Sequence, residues 1–162
     1  MTKREWQAII REELPHVLFY FYNPLVDTDV SLEERLECGT ALFEFRTNRT
    51  HIQESFLEEL HHAGVPQDVA VRGILKHEIG HYQIYPRECD VLMFLGHFAE
   101  RQFNEHAKSV LAYWVDIMDN LPQILKKDGG RDVRELYRGM NHLVEKGLVI
   151  PQETKELLKG IG

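Results

Sequence analysis

The spacing of apolar residues predicts a helix at the start of the chain. Trp6 and Ile10 fall on one side of such a helix, and the periodicity holds over residues 3–14. Beyond Pro15, residues 16–24 are rich in aromatic side chains, a composition that suits a strand but also an irregular arm packed on the core. Both alternatives remain open from the sequence.

Residues 42–55 have the pattern of a β-hairpin. Leu42, Phe43 and Phe45 predict a first strand, and residues 50–55 predict a second strand. The four residues at 47–50 have the composition of a tight turn, in which the asparagine at 48 can adopt a positive φ. We therefore expect a small sheet in the first half of the chain.

The rest of the chain is predicted to be helical, with particular residues marking where helices begin and end. Ser31 and Glu34 have the spacing of a capping box. Gly64 is placed to end one helix, and Asp68 and Asp132 are placed to cap the helices that follow them. Helices are therefore predicted over residues 31–37, 54–63, 68–81, 88–101, 104–121, 132–146 and 150–160.

The length and composition favour one globular domain. The 162 residues are enough to bury a core, and no repeat, low-complexity segment or long linker divides them. A hydrophobic fraction of 43% with 28% charged residues is typical of such a domain. The sequence thus predicts a single α+β domain over residues 1–162, mostly helical with a small β-sheet.

The charge and the cysteine content restrict the classes of function. A formal net charge of −7 disfavours nucleic-acid binding, which needs a basic surface. Cys38 and Cys89 are too few for a disulfide framework or a thiolate cluster. The N-terminal residues are charged, and no stretch reaches the ~20 apolar residues that span a bilayer. We expect a soluble, cytoplasmic protein without nucleic-acid or membrane partners, and its oligomeric state is open.

The residues with the clearest chemistry are His77, Glu78 and His81, in the predicted helix 68–81. Positions four apart on a helix project from one face, so the two imidazoles can occupy two corners of a tetrahedral zinc site. Glu78 is one position further round, where its carboxylate can accept a proton from water activated at that site. The alternative is that these are ordinary polar residues on the surface of a helix.

The HEIGH motif formed by these residues, with a strand and a helix upstream, resembles the active-site helix of the zincin metallopeptidases. The resemblance spans residues 40 to 125 and implies a zincin-like fold, in which a small sheet packs on that helix. It also implies Zn²⁺ as the cofactor, the two histidines as its ligands and the glutamate as the catalytic base. Ile84 and Arg87 replace the glycine and histidine that the metzincin branch requires, so that branch is excluded.

A catalytic zinc needs a third protein ligand, whose identity the sequence leaves open. Asp116 is one candidate, because it lies on a polar strip of its predicted helix, opposite an apolar side that includes Leu111 and Trp114. Its segment YWVDIMDN also resembles the one that supplies an acidic ligand in small uncharacterised prokaryotic zincins. Glu100 is a second candidate, because glutamate-type zincins use a comparable gap after the motif. Other side chains within range are Glu88, His97, Glu105, His106 and Asp119.

These residues predict a zinc-dependent hydrolase, and the resemblance implies a metallopeptidase that cleaves a peptide or protein substrate. A strand of the predicted hairpin offers an edge on which an extended substrate can lie. Two alternatives remain: a zincin-like module that binds a partner protein without catalysis, and a helical interaction protein in which the motif is accidental. Metal content separates the last from the other two, and the activity of a Glu78→Gln variant separates enzyme from module.

Overall fold

A computed structural model describes residues 1–37, 40–84, 89–108, 110–111, 114–116 and 130–145. The predicted break at Pro86, the predicted helix 150–160 and the candidate ligands Glu88 and Asp119 lie outside these residues. The described elements are α1 (Lys3–Tyr20), β1 (Ser31–Glu33), β2 (Ala41–Glu44), β3 (Arg49–Gln53), α2 (Glu54–His62), α3 (Gln67–Ile84), α4 (Cys89–Phe103), a 3₁₀ turn (Asn104–His106) and α5 (Gly130–Glu145). Between the 3₁₀ turn and α5 lies the 107–116 segment, whose described residues are helical.

Helix α1 begins with a complete capping box and is longer than the sequence predicts. The Thr2 hydroxyl accepts a hydrogen bond from the backbone N–H of Glu5, whose carboxylate accepts one from the backbone N–H of Thr2. The helix continues through Pro15 to Tyr20, so neither the strand nor the irregular arm forms there. Proline removes one helical hydrogen bond, but it lies on the exposed side while Val17 is completely buried in the core. Burial of the apolar face therefore maintains the helix.

The prediction of a short helix over residues 31–37 is wrong. Ser31–Glu33 forms strand β1, which pairs in parallel with β3. Leu32 pairs with Ile52, and both side chains are buried. The Ser31 hydroxyl donates to the Glu33 carboxylate instead of capping a helix. The contact with β3, which is distant in sequence, outweighs the local capping signal.

The predicted hairpin is confirmed. Strands β2 and β3 pair antiparallel, and Asn48 in the connecting turn has a φ of 55°. Phe45 belongs to this turn and not to the strand. The described sheet has the order β1-β3-β2, so one edge of β2 is unpaired within it.

Helix α3 is the central element of the fold. It contacts α1, α2, α5 and the strands β2 and β3. Gly64, with a φ of 87°, follows α2 as predicted. Helix α3 then begins at Gln67, so Asp68 lies inside its first turn and does not precede it as a cap. Because α3 is covered on several sides, six of its apolar side chains are almost completely buried; they are Val69, Ala70, Val71, Ile74, Leu75 and Ile79.

Helix α5 packs closely against α3. A Cβ atom on Gly73 would lie 2.9 Å from Cβ of Leu136 and 3.0 Å from the carbonyl oxygen of Asp132. Asp132, predicted as a cap, lies within the first turn of α5, because the helix begins at Gly130. The missing side chain at Gly73 thus determines how closely the two helices approach each other.

The described residues are mostly helical with a three-stranded sheet, which confirms the α+β class. No helix among them is long and apolar enough to cross a membrane. The cytoplasmic location stays a prediction.

Candidate metal centre

A cleft of about 540 Å³ lies between strand β2, helix α3 and the 107–116 segment. His77, Glu78 and His81 line it from α3, and Asp116 lines it from the opposite side. Its volume falls in the range of small-molecule sites, roughly 300–1,000 Å³. Helix α3 brings its three polar side chains here because its other sides are covered by α1, α2 and α5.

Three potential ligand atoms converge in this cleft. The Nε2 atoms of His77 and His81 lie 3.2 Å apart. The Oδ1 atom of Asp116 lies 3.5 Å from Nε2 of His81 and 4.0 Å from Nε2 of His77. Two ligand atoms at the tetrahedral angle and about 2.0 Å from an ion are about 3.3 Å apart. Two of the distances match this value closely, and the third exceeds it by less than 1 Å, so the three residues fit a tetrahedral zinc site.

Burial shifts the protonation equilibria of His81 and Asp116 away from their charged forms. The pKa of His81 falls to about 4, because burial penalises the imidazolium and His77 adds a like charge. The pKa of Asp116 is raised by burial, although His77 opposes this shift. A neutral imidazole has the free lone pair that a metal ion requires. A bound cation would favour the ionised form of Asp116.

His81 also has a buried polar atom that matters for this geometry. Its Nδ1 is buried and makes no hydrogen bond within the described part of the chain. The Nε2 atom of the same ring faces the other two potential ligands. In metal sites the ring nitrogen remote from the ion carries a proton, so Nε2 is the atom available to bind.

Glu78 lies in the same cleft but outside the group of three ligand atoms. It is buried, with a relative exposure of 6%. A carboxylate in this position can act on a molecule in the cleft while the histidines and Asp116 hold an ion. The arrangement therefore has three side chains that could hold a metal ion and a buried carboxylate beside them.

The structure distinguishes between the two main candidates for the third ligand. Asp116 lies beside both histidines, whereas Glu100 is on α4, is 73% exposed and pairs with His97 at 3.8 Å. Within the described residues, only His77, His81 and Asp116 form a compact group of potential ligands. His106 is exposed in the 3₁₀ turn and is not part of it.

The predicted faces of the helix around Asp116 are partly wrong. Leu111, expected on the side opposite Asp116, lines the same cleft together with Val115 and Lys108. Trp114, expected on the apolar side, is 41% exposed. The spacing of positions 108, 111 and 115 is that of one helix face, and this was the available signal. It was missed because two of the three residues are apolar and suit a core equally well.

A network of buried and half-buried charged side chains connects α3 to α1 and α5 and was not predicted from the sequence. Arg72 donates hydrogen bonds to Glu13 of α1 at 2.8 Å, to Asp68 at 2.8 Å and to Asp132 of α5 at 3.2 Å. Lys76, one turn later, donates to Asp132 at 2.7 Å. These contacts link α3 to α1 and α5 and so limit its rotation. The only sequence signal was the spacing of the two basic residues on the predicted helix.

Comparison of the chain with protein-family models, with characterised proteins and with solved structures finds no match in any of the three.

Proposed function

We propose that this protein is a zinc-dependent hydrolase of the zincin type, a metallopeptidase that cleaves peptide bonds. The observation that carries the proposal is the convergence of Nε2 of His77, Nε2 of His81 and Oδ1 of Asp116 within 4.8 Å of one another, beside the buried Glu78. Two imidazoles and one carboxylate are a donor set typical of catalytic zinc. Bound zinc would supply Lewis acidity toward water and toward a substrate carbonyl.

The residues of this chain have separate roles in the proposed reaction. His77, His81 and Asp116 hold the ion, and none of them is then free to move protons. Glu78 accepts the proton that the attacking water loses and passes it to the leaving amine. Its burial keeps the carboxylate in a poorly hydrated environment, where its interaction with a reacting group is stronger than in bulk water.

The substrate lies along strand β2 in this proposal. Ala41, Leu42 and Phe43 of that strand line the cleft, and one edge of β2 is unpaired within the described sheet. An extended peptide can form main-chain hydrogen bonds with such an edge. Its scissile bond would then face the histidines and Glu78 of α3.

The proposal is tested by comparing the wild type with Glu78→Gln, which preserves the shape of the side chain but removes the base. Zinc per chain is measured by elemental mass spectrometry, and hydrolysis of a mixed peptide library by liquid chromatography and mass spectrometry. We expect near one zinc per chain in both proteins and a loss of hydrolysis by roughly 10²-fold or more in the variant. Glu100→Gln, on the exposed side of α4, is the matched control and should retain both properties.

Other outcomes distinguish the alternatives. A wild type that binds zinc but cleaves no peptide would favour a metal-binding module that acts through a partner protein. Absence of zinc, even after its addition, would exclude both this module and the enzyme.

A further inference from the structure

The walls of the cleft are largely apolar on both sides of the candidate metal centre. Phe43 and Phe45 line the cleft on the β2 side. Their rings meet edge to face, with centroids 5.3 Å apart. Leu111 and Val115 line the cleft on the side of the 107–116 segment. Phe45 is half exposed at the cleft. Apolar side chains of a bound molecule can therefore be buried between these walls.

Lys108 is the one cationic side chain among the described residues that line this cleft. It is exposed, and it forms no ion pair or hydrogen bond within the described part of the chain. The cleft also contains two carboxylates, Glu78 and Asp116. A bound divalent ion would offset these two negative charges, so the positive charge of Lys108 would remain available to a substrate.

We propose that Lys108 is a specificity-determining residue, which binds a carboxylate of a peptide whose neighbouring residues are apolar. This inference rests on the proposed peptidase function, and it names the class of substrate. Lys108 binds the anionic group while the apolar walls bury the side chains between that group and the scissile bond. A lysine ammonium binds a carboxylate by charge-assisted hydrogen bonds without demanding a planar partner.

The position of Lys108 limits how far the carboxylate is from the scissile bond. Positions 108 and 116 are eight apart in the sequence, and eight residues of an ideal α-helix rise about 12 Å. An extended peptide spans about 3.3–3.6 Å per residue, so this separation corresponds to roughly three residues. The carboxylate of the substrate is either its C-terminus or an acidic side chain at this distance.

The test measures binding to the protein in which Glu78→Gln prevents turnover, supplemented with zinc. The probes are three pentapeptides with the same apolar residues: one with a free C-terminal carboxylate, one with a C-terminal carboxamide, and one carboxamide peptide with an internal aspartate. Affinities are measured by isothermal titration calorimetry, and zinc content is measured on the same samples. We expect at least one of the two carboxylate peptides to bind roughly three- to tenfold more tightly than the plain carboxamide.

Variants at position 108 connect this preference to the lysine. Lys108→Met should abolish it, Lys108→Glu should reverse it, and Lys108→Arg should retain it. Lys3→Met removes an exposed lysine outside the cleft and is the matched control. The free C-terminus is the recognised group if only the first peptide is preferred, and an acidic side chain is sufficient if the aspartate peptide is preferred too.

The failure of this inference can be distinguished from that of the proposed function. If zinc is bound but the peptides bind equally, or do not bind, the role of Lys108 is refuted and the metal site stands. If no zinc is bound but a carboxylate preference still depends on Lys108, the binding of a peptide carboxylate by Lys108 stands and the zinc hydrolase is refuted.

Discussion

The Oδ1 atom of Asp116 lies 3.5 Å from Nε2 of His81, although 35 residues separate them in the chain. This contact joins the 107–116 segment to α3 across the cleft. It brings a carboxylate to two imidazoles in a site where burial disfavours a positive charge on His81 and a negative charge on Asp116. The neutral imidazole is the form that binds a divalent cation, and such a cation would offset the second effect by favouring the ionised carboxylate.

The role of Asp116 is tested by its isosteric amide. We expect Asp116→Asn to weaken zinc binding by roughly 100-fold or more, because it removes the anionic ligand. Zinc affinity is measured by competition with a chromophoric chelator. Glu100→Gln should leave the affinity unchanged, and the opposite ranking of the two variants would make Glu100 the ligand.

Zinc should stabilise the folded protein if it binds to the native site. At a free zinc concentration of about 100 times Kd, the stabilisation is about 2.7 kcal/mol. For a chain of this size, this corresponds to a rise in Tm of roughly 5–10 °C, measured by differential scanning calorimetry and reversed by a chelator. His81→Ala should lose the shift. An equal shift in that variant would indicate that zinc binds elsewhere.

The approach of α5 to α3 depends on Gly73. We expect Gly73→Ala to lower the free energy of unfolding by about 1–3 kcal/mol, because its Cβ would lie 2.9 Å from Cβ of Leu136. Gly96→Ala on α4 is the matched control, since nothing lies within 4 Å of the added atom. That substitution should stabilise the helix by roughly 0.5–1 kcal/mol. Denaturant unfolding measures both values, and a neutral Gly73→Ala would mean that the two helices can move apart without cost.

Contacts of Glu58 should make the free energy of unfolding fall both at acidic pH and at basic pH. Its carboxylate accepts hydrogen bonds from the N-terminal ammonium group of Met1 at 2.8 Å and from Nε1 of Trp6 at 2.6 Å. These contacts lower the pKa of Glu58 from 4.5, the ammonium having the larger effect. The contact with Glu58 in turn raises the pKa of the ammonium group from 8.0.

The direction of the pH dependence of stability follows from these two pKa shifts. The stability due to Glu58 is present above pH 4.5 and is lost as the pH falls through its lower folded-state pKa. The stability due to the ammonium group is present below pH 8.0 and is lost as the pH rises through its higher folded-state pKa. Glu58→Gln should therefore destabilise the protein most between about pH 5 and 8, as measured by chemical denaturation at several pH values. A difference from the wild type that is independent of pH would contradict this expectation.

Local sequence patterns were sufficient for part of the fold. The alternating strands around Asn48 and the helix that carries His77 and His81 depend on turn chemistry and on hydrophobic periodicity. The same local rules were wrong at Ser31, where a capping box predicts a helix but β1 pairs with β3. They were also wrong beyond Pro15, where α1 continues because Val17 is buried in the core.

The chain by itself therefore determined the four-residue spacing of His77 and His81 and the position of Glu78 beside them, because helix geometry links sequence separation directly to direction. Only the tertiary structure decided that Asp116, and not Glu100, lies against these histidines. It also decided that Lys108 and Leu111 line the same cleft. The physical reason is that packing of helices against one another and against a sheet depends on many weak contacts between distant residues, which local periodicity does not identify.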